Sequence, residues 1–118
     1  MTRKKDDDLP IFVVWMDFVK WLFPVTEKLP RRVRFSLADR MNNLSLDVVE
    51  DLVEARYAKK KVTTLKWANL RLEKLRILLR LCHDFRYVSY NTYEHGLRAI
   101  NEAGRMMGGW IRERGEGP

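Results

Sequence analysis

The sequence predicts an all-α protein, an up-down four-helix bundle formed by a single domain. The chain has 118 residues, which is long enough for one hydrophobic core and too short for two. Glycine and proline are sparse, with 6 and 4 residues, and no segment alternates between apolar and polar residues as a half-buried strand does. Apolar residues recur instead at steps of three and four, which is the spacing of amphipathic helices. We place the bundle at residues 11–114, between flexible tails at 1–10 and 115–118.

The first predicted helix covers about residues 11–28. Its apolar face carries four large side chains: Trp15, Phe18, Trp21 and Leu22. The apolar run at 11–25 contains two charged residues and is shorter than the roughly 20 residues that a bilayer requires. We therefore expect neither a membrane span nor a signal peptide. Because the chain has a single cysteine, Cys82, a disulfide framework is excluded and a cytoplasmic location is expected.

The second predicted helix covers about residues 31–57 and follows Pro30, a residue suited to the first turn of a helix. Its inward face has apolar residues at helical spacing: Val33, Leu37, Met41, Leu44, Val48, Leu52 and Ala55. The fourth predicted helix covers about 91–113. The pattern NTYE at its start predicts a capping box with Asn91 as the cap. Its inward residues are Tyr93, Leu97, Ile100, Met107 and Ile111.

Three glycines, Gly96, Gly104 and Gly108, fall on the inward face of the fourth predicted helix. Each glycine inside a helix costs about 1 kcal/mol relative to alanine. Such a series therefore indicates a backbone that approaches another element closely. Either a tight helix crossing inside the bundle or a contact between subunits would explain it.

The third predicted helix, at about residues 63–87, is apolar on two sides. One stripe faces the bundle core: Leu65, Ala68, Leu72, Leu75, Leu79 and Cys82. A second apolar patch lies nearly opposite: Trp67, Leu70, Leu78, Leu81 and Phe85. A helix that is apolar on two sides is buried twice, so the second patch predicts an interface with another subunit.

The net charge of +7 is concentrated around this third helix. Residues 59–88 contain nine basic residues against two acidic ones, and residues 31–38 add three arginines. A polar strip of the helix carries Lys66, Arg76 and Arg80, and the turn before it carries Lys59, Lys60 and Lys61. Such a strip is either a solvated face or a surface for a polyanion. Arginine pairs suit phosphates and carboxylates equally, so RNA and an acidic protein surface both remain open. Nothing in the strip predicts base reading or base stacking.

The sequence predicts no catalytic or metal site. A di-iron bundle requires Glu-x-x-His on two helices, but neither His83 nor His95 has a glutamate three residues before it. The run from Asp6 to Asp8 is expected to be a solvated tail, and Cys82 is expected to be a small buried hydrophobic residue. We therefore expect a binding protein without enzymatic activity or cofactor.

Three segments together resemble a known family. FPVTEKLPRRVRFSLADRM at 23–41, LEKLRILLRL at 72–81 and NEAGRMMGGWIRE at 101–113 resemble the accessory variability determinant proteins of diversity-generating retroelements. They also resemble, more loosely, the four-helix proteins encoded in ribosomal-RNA intervening sequences. The resemblance covers about residues 23–113, and the GRMMGGW segment is its most specific part.

The resemblance implies a homopentameric barrel of four-helix bundles with a basic outer surface. Such a barrel binds the reverse transcriptase of the retroelement and its template RNA or cDNA. The complex makes error-prone cDNA that is mutated at template adenines, in the process of mutagenic retrohoming, and the polymerase supplies all catalysis. The basic pair of the family pattern falls on Arg76 and Arg80, and the arginines after proline fall on Arg31 and Arg32. The alternative is a free-standing RNA-binding or scaffold bundle of the intervening-sequence type.

Overall fold

The computed structural model of the protein describes residues 9–114. They form four α-helices: α1 at Pro10–Glu27, α2 at Asp39–Tyr57, α3 at Lys61–Asp84 and α4 at Tyr90–Arg114. A 3₁₀ turn at Arg31–Val33 and a π-helical turn at Arg34–Ala38 precede α2. Residues 9–114 contain no strand, which confirms the all-α class. Most of the predicted tail at 1–10, including Asp6 to Asp8, and all of the tail at 115–118 lie outside the described residues.

The four helices pack as an up-down bundle. α1 contacts α2 and α4, and α3 contacts the same two helices. The connections at residues 28–30, 58–60 and 85–89 are short, and short connections make successive helices antiparallel neighbours. Within the described part of the chain, no helix is long and apolar enough to cross a membrane.

The core lies on the helix faces that the apolar spacing predicts. All six residues of the first stripe of α3 are buried, from Leu65 to Cys82. They pack with Trp15 and Leu22 of α1, which are fully buried as well. The indole N–H of Trp15 donates a hydrogen bond of 2.9 Å to the carbonyl of Ser45 on α2. The large side chain is therefore buried without an unsatisfied donor.

α3 ends earlier than predicted, at Asp84 instead of about residue 87. Arg86 has a positive φ of 64°, which a helix cannot continue. The N–H of Tyr87 donates to the carbonyl of Cys82 and the N–H of Arg86 to that of His83, each at 2.8 Å. This is a Schellman motif, and an arginine occupies the left-handed position that glycine usually takes.

The predicted capping box of α4 is wrong. α4 begins at Tyr90, so Asn91 is inside the helix. The hydroxyl of Ser89 accepts a hydrogen bond of 3.1 Å from the N–H of Thr92. Ser89 is therefore the N-cap, since a cap side chain satisfies the free N–H of the third helical residue.

The start of the predicted second helix is also irregular. Its first eight residues form the 3₁₀ turn and then the π-helical turn before the regular α2 begins. Apolar spacing alone predicted one regular helix from residue 31. π-helical turns are rare, and those that are found often lie at functional sites.

The glycines of α4 differ in what surrounds them. A Cβ atom at Gly96 would lie 2.7 Å from Leu79 Cδ2 and 2.9 Å from Trp21 Cη2. This confirms a tight crossing inside the bundle at that position. At Gly104 the nearest atom is a guanidinium nitrogen of Arg76, at 3.1 Å. At Gly108 a Cβ atom would meet only Arg112 of the same helix, at 3.4 Å, so crossing inside the bundle does not explain this glycine.

Candidate nucleic-acid and subunit interface

The polar strip of α3 carries two basic residues that reach solvent. Lys66 is exposed, and the side chain of Arg80 is 68% exposed. The guanidinium of Arg80 lies 3.9 Å from the carboxylate of Asp84. An exposed ion pair of this length is worth little, so Arg80 is available to a phosphate or a carboxylate of a partner.

Arg76 lies on the same strip but packs against α4. Its Nε donates a hydrogen bond of 2.7 Å to Asn101 Oδ1, and its Nη1 donates one of 2.8 Å to Glu73. Only 25% of the side chain is exposed. The prediction that Arg76 and Arg80 project outward together is therefore wrong for Arg76, which joins α3 to α4.

The three lysines at the start of α3 also differ in their exposure and contacts. Lys59 and Lys60 are exposed. The ammonium of Lys61 donates to three carbonyls, those of Ala55, Arg56 and Ala58, at 2.7, 3.2 and 3.0 Å. These carbonyls lie at the end of α2, where helical carbonyls lack partners and the helix dipole is negative. Lys61 therefore caps α2, whereas the other two lysines remain accessible.

A further basic residue, Arg71, was not among the predicted site residues. Its Nη1 lies 2.6 Å from the carboxylate of Asp51 and its Nε lies 3.9 Å from Asp47. Burial raises the pKa of Asp51, and the positive charge of Arg71 counteracts part of that rise. Arg71 therefore holds α3 against α2. The sequence signal was the acidic face of the second predicted helix, which needed a partner on a neighbouring helix.

The second basic segment lies at the opposite end of the bundle from Lys59 and Lys60. Arg31, Arg32 and Arg34 are all exposed. The guanidinium of Arg32 lies 5.6 Å from the ring centre of Tyr87, which is within the range of a cation–π contact. Arg32 therefore connects the start of the second helical segment to the loop between α3 and α4.

An open groove of about 530 Å³ lies beside Tyr87. Lys20 and Lys28 of the α1 side line it together with Trp21, Tyr87 and residues at the start of α4. The groove combines positive charge with aromatic side chains, and the sequence did not predict it because its walls come from three separate segments.

The second apolar patch of α3 is accessible in the described structure. Trp67 is 55% exposed and Phe85 is 57% exposed, and Leu70 and Leu81 are also exposed. Leu78 is half-buried and lines a groove between α2 and α3 of about 520 Å³. Ile77 lines the same groove and is 49% exposed, so it belongs to the patch although it was not predicted. The burial of the core stripe is confirmed, and four of the five predicted patch residues are exposed.

The single cysteine of the chain lies in the core. Cys82 is fully buried, and burial raises the pKa of its thiol to about 11. The thiol is therefore protonated at neutral pH and a poor nucleophile. Within residues 9–114, no group of three histidine, cysteine or acidic side chains could hold a metal ion.

A comparison with protein families gives one match. The family model described as bAvd-like matches residues 12–114, which include all of α2, α3 and α4 and nearly all of α1. Among curated proteins, none matches the chain. The matched region contains every basic and apolar residue of the two candidate surfaces.

Proposed function

We propose, because the chain belongs to the bAvd-like family, that it is a cytoplasmic, non-catalytic accessory protein of a diversity-generating retroelement. In this role it binds the reverse transcriptase of the element and its template RNA. The bound complex makes cDNA that is mutated at template adenines, and the polymerase supplies the chemistry. Family membership is the observation that carries the proposal.

The apolar patch of α3 forms the contact between subunits in this proposal, and five copies form a barrel. The exposure of Trp67, Leu70, Leu81 and Phe85 supports it, because a soluble single chain rarely leaves large apolar residues together in water. Light scattering should give about five times the chain mass of 14.1 kDa.

The matched substitutions for this contact are Leu81→Glu and Leu46→Glu. Leu81 is 37% exposed inside the patch, and Leu46 is 41% exposed on α2, outside it. Leu81→Glu should dissociate the oligomer while the helix content is unchanged, whereas Leu46→Glu should leave the mass unchanged. A wild-type protein that is monomeric at micromolar concentration would exclude the subunit contact.

The polyanion surface consists of the exposed cations Arg31, Arg32, Lys59, Lys60, Lys66 and Arg80. Their concentration on the α3 side of the bundle and at its two ends supports this assignment. Each phosphate that they neutralise releases a counterion, so affinity for RNA should fall steeply with salt. An affinity that is the same at low and physiological salt would contradict phosphate contacts.

The test of the whole proposal is co-purification. A tagged copy of this protein should retain the reverse transcriptase encoded beside its gene, together with the template RNA, and the complex should make cDNA with mutated adenines. Omission of this protein should abolish that cDNA. If the protein binds RNA but never retains the reverse transcriptase, the intervening-sequence type of RNA-binding bundle replaces the proposal.

A further inference from the structure

Phe35 is the most exposed large hydrophobic residue in the described part of the chain. It lies in the π-helical turn before α2, and 83% of it is exposed. Its neighbours Val33 and Leu37 are half-buried and pack against the core. The phenyl ring therefore lies outside the core, although apolar residues on either side of it are directed inward.

Exposed arginines precede Phe35 in the sequence. Arg34 precedes it directly, and Arg31 lies four residues before it, in the adjacent 3₁₀ turn. Both are exposed. Of the carboxylates in residues 9–114, none lies within ion-pair distance of either guanidinium. The closest acidic residue after Phe35 in the chain is Asp39, which is exposed.

We propose that Phe35 binds single-stranded RNA by stacking on a nucleobase, while Arg31 and Arg34 contact the phosphates on either side of that base. Proteins bind unpaired nucleic acid with exposed aromatic rings close to cations, because every base has a face that can stack. This proposal rests on the RNA-binding function proposed above and specifies the form of RNA that the surface accepts.

The surroundings of Phe35 favour RNA over an apolar protein surface. A subunit contact requires several apolar residues that are buried together, and on α3 such a patch exists. The exposed residues on either side of Phe35 in the chain are instead Arg34 and Ser36, and Arg31 and Arg32 precede them. A single ring among cations offers little area to an apolar partner but suits a polyanion with unpaired bases.

The structure also provides a continuation for the bound strand. Arg32, between Arg31 and Phe35 in the chain, contacts the Tyr87 ring. Tyr87 lines the groove that contains Lys20 and Lys28. A strand with one base on Phe35 can therefore direct its next phosphates toward this groove.

The test compares the oligomeric wild-type protein with Phe35→Ala, Phe35→Leu and Phe35→Trp variants. The probes are a labelled unstructured RNA and a blunt-ended RNA duplex of similar length, and fluorescence anisotropy measures binding to each. Phe35→Ala should weaken binding of the unstructured RNA by about fivefold to a hundredfold, the range for loss of one stacked base. Binding of the duplex should change less than twofold, because its bases are paired and stacked on each other. Phe35→Leu should resemble Phe35→Ala, and Phe35→Trp should bind as tightly as wild type.

Several results would overturn this inference. If Phe35→Ala binds unstructured RNA like wild type, or if Phe35→Leu retains full affinity, then no base stacks on Phe35. If Phe35→Ala lowers the oligomeric mass in light scattering, the ring belongs to a protein contact. If the wild-type protein binds both RNAs normally and a variant gives any of these results, then only the stacking site is overturned. A wild-type protein that binds neither RNA would overturn both the stacking site and the proposed RNA-binding function.

Discussion

The guanidinium of Arg71 on α3 lies 2.6 Å from the carboxylate of Asp51 on α2. Both side chains are largely buried, with exposed fractions of 28% and 13%. Burial raises the pKa of Asp51 although Arg71 lowers it. The contact therefore compensates for a buried charge and connects the acidic face of α2 to the basic helix.

Replacement of Arg71 with alanine should destabilise the fold, because it leaves the Asp51 carboxylate buried without its partner. We expect a loss of about 1–3 kcal/mol in the free energy of unfolding at neutral pH, measured by urea denaturation. Without Arg71 the folded-state pKa of Asp51 rises further above its unfolded value. The contribution of Asp51 to stability is then fully present below its unfolded pKa and is lost as the pH rises through its folded pKa.

The loss caused by Arg71→Ala should therefore shrink as the pH falls, because the protonated acid needs no partner. The control is Arg80→Ala, which removes an exposed pair at 3.9 Å from Asp84 and should change stability by less than about 0.5 kcal/mol. Equal losses in the two variants would contradict the difference in burial.

Arg86→Gly should stabilise the protein. Arg86 has a φ of 64°, a conformation that costs a residue with a Cβ atom about 1–2 kcal/mol. Glycine removes this cost but loses part of the gain to its greater freedom in the unfolded chain. We expect a net gain of about 0.5–1 kcal/mol, visible as an increase of a few degrees in Tm. Arg86→Ala keeps the Cβ atom and should give no such increase; a similar gain from alanine would show that the charge matters and not the backbone.

The glycines of α4 give opposite predictions for the same substitution. Gly96→Ala places a methyl group 2.7 Å from Leu79 Cδ2, and the loss should be about 1–3 kcal/mol, as for other overpacked sites. Gly108→Ala meets only Arg112 at 3.4 Å and should raise the stability of the bundle by up to about 1 kcal/mol through helix propensity. Thermal unfolding measures both effects. A reduced oligomeric mass in Gly108→Ala, without unfolding, would assign that glycine to a subunit contact.

The spacing of apolar residues was sufficient to predict the core but not the roles of the charged residues. The core stripe of α3 follows from the rotation of about 100° per residue, which depends on the helix alone. Arg76 and Arg80 share one strip by the same rotation, yet only Arg76 meets Asn101 of α4. The capping role of Lys61 likewise depends on where α2 ends. Such roles are set by the distance between helices, which one helix does not encode.

The irregular start of the second helical segment was not predictable for a related reason. A π-helical turn is a local departure from the regular period, and no residue type between 31 and 38 specifies it. The arginines of this segment were recognised as basic, but Phe35 was not recognised as exposed. The available signal was its position between Val33 and Leu37, two apolar residues that were predicted to face inward. A residue two positions from each of them lies on the other side of a helix.

Single substitutions of Arg76 and Arg80 should separate stability from binding. Arg80→Ala removes an exposed cation and should leave the helix content, Tm and oligomeric mass unchanged. It should weaken binding to RNA or to the reverse transcriptase by about tenfold to a hundredfold, since a charge-assisted hydrogen bond is worth about 1.5–3 kcal/mol. Arg76→Ala should instead lower the stability by about 1–2 kcal/mol, because Asn101 and Glu73 lose their partner.

The controls for these two variants are Arg98→Ala and Arg105→Ala on the exposed face of α4. Arg98 is 77% exposed and pairs at 3.3 Å with Glu94 of its own helix. Both controls should bind almost like wild type, because the sequence from residue 89 onward carries four arginines against four glutamates. Anisotropy with labelled RNA and co-purification with the reverse transcriptase measure binding, while circular dichroism and light scattering measure the scaffold. If the α4 variants lose binding while Arg80→Ala retains it, the functional surface lies on α4 and not on α3.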